Sequence, residues 1–163
     1  MDGPRLRPAV RAVLVDPDLR VLLVRFDTPA VPVWATPGGG VERGESSLQA
    51  LRRELLEEVG LVLPADAEPP WVWHRPVVGE EPVEPGWDGQ TDDFYLVRTE
   101  AFDPRGTFSD EQLLAEGMGA VRWWTPAELA AARDTVFSPR ALPRLVVELL
   151  RDGPPGAPAL LGL

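Results

Sequence analysis

Residues 38–61, GGGVERGESSLQALRRELLEEVGL, join a glycine-rich turn to a helical pattern that ends at another glycine. Glu54, Glu57 and Glu58 stand at positions i, i+3 and i+4, so they fall within one arc of a helix. Like charges at these spacings repel by about 0.2–0.5 kcal/mol per pair. Such an arc either faces solvent or offers hard oxygen ligands to a cation.

The predicted helix begins after Ser46 and ends near Gly60. Ser46 and Gln49 match a capping box, and glycine is the usual residue just past a helix C-terminus. The apolar stripe of the helix consists of Leu48, Leu51, Leu55 and Val59. Because the glutamate arc is adjacent to this stripe rather than opposite it, we expect the helix to pack on the core with its acids at the edge of a cleft.

Composition narrows the classes of partner. The 163-residue chain has a net charge of −10 and a pI near 4.6, which argues against nucleic-acid polymers and anionic membranes, since basic patches bind both. Disulfides, zinc–thiolate sites and cysteine nucleophiles are excluded because the chain has no cysteine. The N-terminal residues lack the apolar core of a signal peptide, and no apolar run could span a membrane. We therefore expect a cytoplasmic protein.

All sixteen basic residues are arginines, and lysine, isoleucine and asparagine are absent. The codons of these three missing amino acids are AT-rich, so the composition predicts a bacterial source with a GC-rich genome. Arginine in place of lysine consequently carries little mechanistic information here.

The order of the predicted elements indicates an α/β or α+β fold, because strands and helices do not alternate strictly. Helical patterns also begin at Thr125 and at Ser138, and one helical turn is expected at residues 110–116. The polar connection at residues 79–92 predicts a functional or mobile loop. We expect one domain, residues 1–152, followed by a flexible tail, residues 153–163. Strands are predicted at residues 9–15, 20–26, 34–36, 61–63, 71–78, 93–98 and 120–124.

The opening stretch resembles the Nudix box. That motif is a glycine, five residues, a glutamate, seven residues, and then Arg-Glu-apolar-x-Glu-Glu-x-Gly-apolar. The segments at residues 34–37 and 123–129 resemble the family as well, so the chain is similar to Nudix hydrolases over about residues 8–150. The fixed positions of the box are filled by Gly39, Glu45, Arg53, Glu54, Leu55, Glu57, Glu58, Gly60 and Leu61.

The resemblance implies a Nudix-type α/β/α sandwich with a mixed β-sheet between helices. It also implies a pyrophosphatase in which water attacks phosphorus in a nucleoside diphosphate joined to another group X, with Mg²⁺, or alternatively Mn²⁺, as cofactor. Elementary chemistry agrees, because a diphosphate must be neutralised before water attacks it, and Mg²⁺ prefers oxygen ligands. The expected partner is a small-molecule nucleoside diphosphate derivative, and the oligomeric state is left open, with a homodimer allowed.

By motif position, the resemblance assigns the metal ligands. Glu54, Glu57 and Glu58 would ligate the metal, and the backbone carbonyl of Gly38 would be an additional ligand. Arg53 would orient these carboxylates by ion pairing. Each of these residues belongs to the glycine turn or to the glutamate face of the helix.

The same resemblance places Glu45 as a brace between the loop and the helix. A general base would assist the attack of water, and Glu54 is one candidate. In this family the base sometimes lies in a later loop, where this chain offers Asp110, Glu111 and Glu116. The sequence does not choose among these four residues.

Two other functions compete with hydrolysis. A Nudix-fold domain that binds or senses a nucleotide without cleaving it is the main alternative, although such domains typically lose box glutamates that this chain keeps. The Nudix-fold isopentenyl diphosphate isomerase resembles an enzyme that needs an active-site cysteine, which is absent here. His74, the single histidine, and Trp87, in the polar loop, are both interpreted as structural residues.

Overall fold

The computed structural model describes residues 2–79 and 84–162. The helices in this part of the chain are α1 (Ser47–Val59), α2 (Asp110–Ala115), α3 (Pro126–Ala131) and α4 (Leu142–Asp152). The strands are β1 (Leu6–Val15), β2 (Val21–Asp27), β3 (Pro32–Ala35), β4 (Gly38–Gly40), β5 (Trp71–Val78), β6 (Gly89–Arg98), β7 (Met118–Trp124), β8 (Val136–Ser138) and β9 (Ala159–Leu160).

The strands form one mixed sheet in the order β8-β3-β2-β1-β6-β5-β9, with β4 paired to β1 and β7 paired to β2. β1 runs parallel to β6 along its whole length, whereas it is antiparallel to β2 and to β4. Because β1 is buried on both faces over residues 12–15, its sequence is a continuous apolar run rather than an alternating one.

Alternate residues of β1 point into two separate cores. On one face, Val13 and Val15 belong to the cluster that contains the apolar side of α4. On the other face, Ala12 and Leu14 pack with the stripe of α1. Helices therefore cover both faces of the sheet, and the predicted sandwich with a mixed sheet between helices is confirmed.

The central helix forms where the sequence places it. Ser46 is the N-cap and makes a complete capping box with Gln49. Gly60 adopts a left-handed conformation with φ 77° and donates its N–H to Leu55, which closes the helix at its C-terminal end. Leu51, Leu55 and Val59 are fully buried, as the apolar stripe predicts.

Two of the predicted strands, at residues 61–63 and 93–98, differ most from the structure. Leu61 and Leu63 pack against the core on the α1 side, but residues 61–63 form no strand because Leu61 donates to Leu55 at the helix end. β6 begins at Gly89 rather than at residue 93, since residues 89–92 pair with β1 and β5 and shorten the predicted loop. Residues 80–83 of that loop lie outside the described residues.

The C-terminal part also differs from the prediction. α4 begins at Leu142 rather than at Ser138, because residues 136–138 pair with β3 as a short parallel strand. Residues 159–160 pair with β5, so this part of the predicted flexible tail adds a strand to the sheet edge. The domain boundary at residue 152 stays a prediction. Within the ranges that the structure describes, no helix is long and apolar enough to cross a membrane.

Residues 105–108 dock on the C-terminal end of α1. Thr107 and Phe108 donate their N–H groups to the carbonyls of Leu56 and Glu57, each at 3.1 Å, which satisfies acceptors that the last helical turn leaves free. The contact needs glycine, because a Cβ on Gly106 would lie 2.1 Å from the carbonyl oxygen of Glu57. This docking brings Phe108 and α2 beside the glutamate face of α1.

Replacing Gly106→Ala should lower the free energy of unfolding by about 1–3 kcal/mol, the usual cost of forcing an extra methyl group into a packed contact. The added Cβ meets backbone, which yields less readily than a side chain. Urea unfolding measures the change. Gly156→Ala is the matched control, since a Cβ there meets nothing within 4 Å. Equal stability of the two variants would contradict the docking contact.

Candidate active site

A cavity of about 560 Å³ lies between the glycine strand β4, the N-terminal half of β1 and α1. It brings together all the predicted ligands and Arg53, whereas Glu45 lies just behind Arg53 and outside the lining. Its acidic lining residues are Glu42, Glu54, Glu57, Glu58 and Glu116; its basic ones are Arg7, Arg11 and Arg53; and the rest of the lining is Phe26, Gly38, Gly39, Gly40, Gln90 and Phe108.

The glycines of β4 allow the cavity to form by close approach of backbone and carboxylate. Gly38 has φ 145°, and a Cβ there would lie 2.0 Å from the carbonyl oxygen of Val10 on β1. A Cβ on Gly39 would lie 2.5 Å from the Oε1 atom of Glu54. Only a strand without side chains can therefore lie between β1 and the glutamate face of α1.

Glu58 is the most buried of the acids in the cavity, with 6% of its surface exposed. Its carboxylate accepts a hydrogen bond of 3.0 Å from the N–H of Gly38. Burial, with the nearby charge of Glu54, raises the pKa of Glu58 to about 8. Burial likewise raises the pKa of Glu54 above its ordinary value, although Arg53 opposes that shift. At both carboxyl groups, burial therefore outweighs the nearby positive charge that would favour the ionised form.

Arg53 is the main cation on the α1 side of this cavity. It binds Glu45 through two nitrogens, with Nε 2.9 Å from Oε2 and Nη2 3.0 Å from Oε1, and its Nη2 also donates to the Gly40 carbonyl at 3.0 Å. Its Nη1 donates to Glu54 at 2.9 Å and to Glu57 at 3.3 Å. These hydrogen bonds hold the pKa of Glu45 below its usual range and fit the bracing role predicted for that residue. The roles of all these residues stay predictions.

The oxygen ligands predicted for the metal suit a hard cation chemically. Their side chains would have to move closer together to bind it. Among residues 2–79 and 84–162, no three acidic or histidine side chains are close enough together to hold a metal ion. The reason is that Arg53 attracts Glu54 and Glu57, whereas Glu58 turns to the Gly38 N–H. The carbonyl of Gly38 accepts a hydrogen bond of 3.2 Å from Arg11. Buried carboxylates with raised pKa values are nevertheless groups that a divalent cation would stabilise.

Asp92 forms a buried cluster that the sequence did not reveal. The residue is 1% exposed, and its carboxylate accepts hydrogen bonds from Arg75 at 2.7 Å, from Gln90 at 2.7 Å and from Arg11 at 3.4 Å. Although burial opposes ionisation, the guanidinium groups of Arg11 and Arg75 hold the pKa of Asp92 below its ordinary value. The alternation of Asp92 with the apolar residues at positions 94 and 96 was the available signal for its inward orientation.

The three general-base candidates that follow the box in the chain occupy different positions relative to the cavity. Glu116 lines the cavity, whereas Asp110 is exposed and pairs with Arg105 at 2.7 Å, and Glu111 is exposed at the start of α2. The dock of residues 105–108 on α1 explains why Glu116, at the end of α2, reaches the cavity. Of the three later candidates for the general base, Glu116 is the one beside the box carboxylates.

The two residues interpreted as structural lie away from the cavity lining. The Nδ1 atom of His74 is 2.6 Å from Asp93, and its ring makes an edge contact with Trp71 at a centroid distance of 5.9 Å. Trp87 is half-buried, and its main-chain N–H donates to the carbonyl of Glu84 at 3.1 Å. Neither contact gives these residues a role in the chemistry of the cavity.

Comparison with known proteins assigns the chain to a family. A model of the NUDIX domain matches residues 5–145. The chain belongs to the NUDIX domain family. A NUDIX hydrolase from Nitrosomonas europaea is similar in fold, with a TM-score of 0.65, 23% identity, and coverage of 92% of this chain and 91% of that one. The NUDIX domain of Shewanella oneidensis NrtR, in a cocrystal with ADP ribose, has a TM-score of 0.63, 22% identity, and coverage of 91% and 90%.

A sequence relative adds a more specific similarity. The RNA pyrophosphohydrolase of Helicobacter pylori is 32% identical over 99 residues, which cover 58% of this chain. The match spans 64% of the length of that relative. The family of this chain is thus established. Its substrate is a proposal.

Replacing Asp92→Asn should destabilise the protein by about 3–5 kcal/mol near neutral pH, because it leaves two largely buried guanidinium groups without their anion. The pKa of Asp92 is lowered by folding, so its contribution is present above the ordinary carboxyl pKa of about 3.9 and is lost as the pH falls through the lower folded value. Urea unfolding of both proteins over a pH series measures this.

The exposed Asp66→Asn is the matched control and should change stability by less than about 0.5 kcal/mol at every pH. A loss of stability in Asp92→Asn that stays constant into strong acid would contradict an ionised Asp92.

Proposed function

We propose that this protein is a metal-dependent pyrophosphatase that hydrolyses the diphosphate linkage of a nucleoside diphosphate joined to another group. The observation that carries the proposal is one cavity lined both by Glu54, Glu57 and Glu58 and by Arg7 and Arg11. A diphosphate needs cationic groups to bind it, and a divalent cation needs carboxylates. The described part of the cavity supplies both kinds of group.

Glu54, Glu57 and Glu58 would hold Mg²⁺, or alternatively Mn²⁺, with the carbonyl of Gly38 as a further ligand. Such an ion, when bound, neutralises phosphate charge and polarises phosphorus. The chain's own contribution is positional: Arg53 holds two of these carboxylates, and Glu45 fixes Arg53 through two hydrogen bonds.

A general base must lie within reach of the attacking water and be free to accept its proton. Glu116 lines the cavity near Glu58, and its charge contributes to raising the pKa of that residue. Glu54, the other candidate, is already hydrogen-bonded to Arg53. These contacts favour Glu116 as the base, and Glu54 is the alternative.

The similarity to an RNA pyrophosphohydrolase adds a second substrate class, RNA that ends in a phosphoanhydride. A net charge of −10 disfavours binding along a polymer, because phosphate contacts need basic surface. A terminal phosphoanhydride alone could still use the arginines of the cavity. Small nucleotide derivatives remain the first proposal, and the cytoplasmic location and the homodimer remain predictions.

Hydrolysis should require Mg²⁺ or Mn²⁺ and stop when EDTA is added, because the buried carboxylates need a cation to engage a diphosphate. The measurement is release of phosphate or pyrophosphate from nucleoside triphosphates, ADP-ribose, dinucleoside polyphosphates, nucleotide sugars and a short 5′-triphosphorylated RNA. Full turnover in EDTA would overturn the mechanism. Binding of a nucleotide without any turnover would instead support the non-catalytic sensor.

Replacing Glu58→Gln should lower kcat by a factor of about 10²–10⁴, which is the scale of losing a metal-holding or acid–base group. The fold should survive, since a carboxyl group with a pKa of about 8 is largely protonated in the metal-free protein and the amide has the same shape. Steady-state kinetics and circular dichroism measure the two effects.

Glu111→Gln, an exposed change in α2, is the matched control and should keep wild-type kinetics. A rate within a few-fold of wild type for Glu58→Gln would remove that residue from the proposed ligand set.

A further inference from the structure

The carbonyl oxygen of Gly38, the proposed additional metal ligand, already has a cationic partner in the structure. It accepts a hydrogen bond of 3.2 Å from the Nη1 atom of Arg11. Gly38 and Arg11 lie opposite each other on β4 and β1, so the pairing of these strands places the arginine side chain beside this carbonyl. A metal ion and a guanidinium group would therefore meet at the same oxygen atom.

The two cations compete for this oxygen through their charge. A peptide carbonyl has two lone pairs, so its acceptor capacity alone would allow both partners. Like charges that are this close repel strongly where water is scarce, and the side chain of Arg11 is only 19% exposed. A divalent cation at the Gly38 carbonyl therefore requires that the guanidinium group of Arg11 withdraw from it.

Asp92 would keep a displaced guanidinium group in the cavity. Its buried Oδ1 atom lies 3.4 Å from the Nε atom of Arg11. The same carboxylate is itself fixed, because Gln90 donates to Oδ1 at 2.7 Å and Arg75 donates to Oδ2 at 2.7 Å and 3.3 Å. The terminal nitrogens of Arg11 can consequently move about an anchored Nε atom without leaving the site.

A phosphate group in the cavity would be the new acceptor for these terminal nitrogens. Arg11 lines the proposed active site, so its guanidinium group is within the space that a diphosphate would occupy. Hydrogen bonds between a guanidinium group and a phosphate are charge-assisted, and they are therefore stronger than a bond to a neutral carbonyl. A metal ion at the Gly38 carbonyl and a phosphate in the cavity would each favour the same displaced position of Arg11.

We propose that Arg11 exchanges partners: it binds the Gly38 carbonyl in the free protein and transfers to a substrate phosphate when a divalent cation takes that carbonyl. The inference rests on the proposed function, which supplies both the cation and the phosphate. Binding of metal and binding of substrate are coupled reciprocally, since each ligand favours the arginine position that the other needs. Arg11 thus lowers the affinity for the metal alone and raises the affinity for substrate once the metal is bound.

Replacing Arg11→Lys tests this exchange with the charge conserved. An ammonium group lacks the planar fork that spans Asp92 and the Gly38 carbonyl, so it stays with the carboxylate and leaves the carbonyl free. Without nucleotide, the variant should bind Mn²⁺ more tightly than wild type by about fivefold or more. In the presence of Mg²⁺ it should bind α,β-methylene-ADP more weakly by about tenfold or more. Calorimetry measures both affinities without turnover.

Arg7→Lys is the matched control. Arg7 also extends from β1 into the lining of the cavity, but its Nε atom pairs with Glu84 at 3.1 Å. Its replacement should weaken binding of the nucleotide analogue, yet it should change the Mn²⁺ affinity by less than about twofold. A gain in Mn²⁺ affinity as large as that of Arg11→Lys would overturn the exchange, because any arginine of the lining would then have the same effect.

The wild-type protein offers a measurement that does not depend on a stable variant. Nuclear magnetic resonance of the isotope-labelled protein follows the carbonyl carbon of Gly38 and the side-chain nitrogens of both arginines during a titration with Mg²⁺ alone. The signals of Gly38 and Arg11 should shift together, whereas those of Arg7 should stay nearly constant. Signals of Gly38 and Arg11 that do not respond to saturating Mg²⁺ would contradict the exchange.

The results distinguish the exchange from the proposed hydrolase. Tighter Mn²⁺ binding and weaker nucleotide binding by Arg11→Lys, without diphosphate hydrolysis by the wild type, would overturn the hydrolase and support the exchange. Metal-dependent hydrolysis by the wild type, with unchanged or weaker Mn²⁺ binding by Arg11→Lys, would support the hydrolase and overturn the exchange.

Discussion

Burial of carboxylates against a bare glycine strand is the constraint on which this site depends. Gly38 donates its N–H to Glu58, and the carboxylate of Glu54 lies where a side chain on Gly39 would be. Burial removes the acids from water and raises their pKa values, although the Gly38 N–H by itself favours the ionised form of Glu58, so their charged forms become costly without a counter-charge. The same burial that weakens the metal-free site would make a bound cation effective.

Arg53 and Arg11 lie on opposite sides of β4 and partly neutralise the carboxylates of the site. Arg53 belongs to α1 and holds Glu45, Glu54 and Glu57, so its position is set locally along the helix. Arg11 belongs to β1, contacts the carbonyl of Gly38, and is fixed by the buried Asp92. The glycine strand lies between these two groups, and its conformation is therefore determined by the sheet as well as by the helix.

The sequence predicts the parts of the site that are local in the chain. The capping box at Ser46, the C-terminal Gly60 and the glutamate face follow from spacings of three or four residues, and they form as expected. The Asp92 cluster depends instead on the parallel pairing of β1 with β6, since Arg11 and Asp92 are 81 residues apart in the chain. Periodicity within one strand indicates which face a residue occupies, but it does not identify the neighbour across the sheet.

The charge of the whole protein and the charge of the cavity act over different distances. Salt screens surface charges beyond about 8 Å at physiological ionic strength, so the field within the cavity is set mainly by its own lining, where three arginines lie among five glutamates. A phosphate-bearing substrate would therefore need a bound divalent cation as well as these arginines, because the glutamates of the lining repel it. A polymer carries further phosphates past the rim, where acidic side chains outnumber basic ones over the molecule as a whole. For the proposed substrates, length beyond the terminal nucleotides would therefore add repulsion rather than affinity.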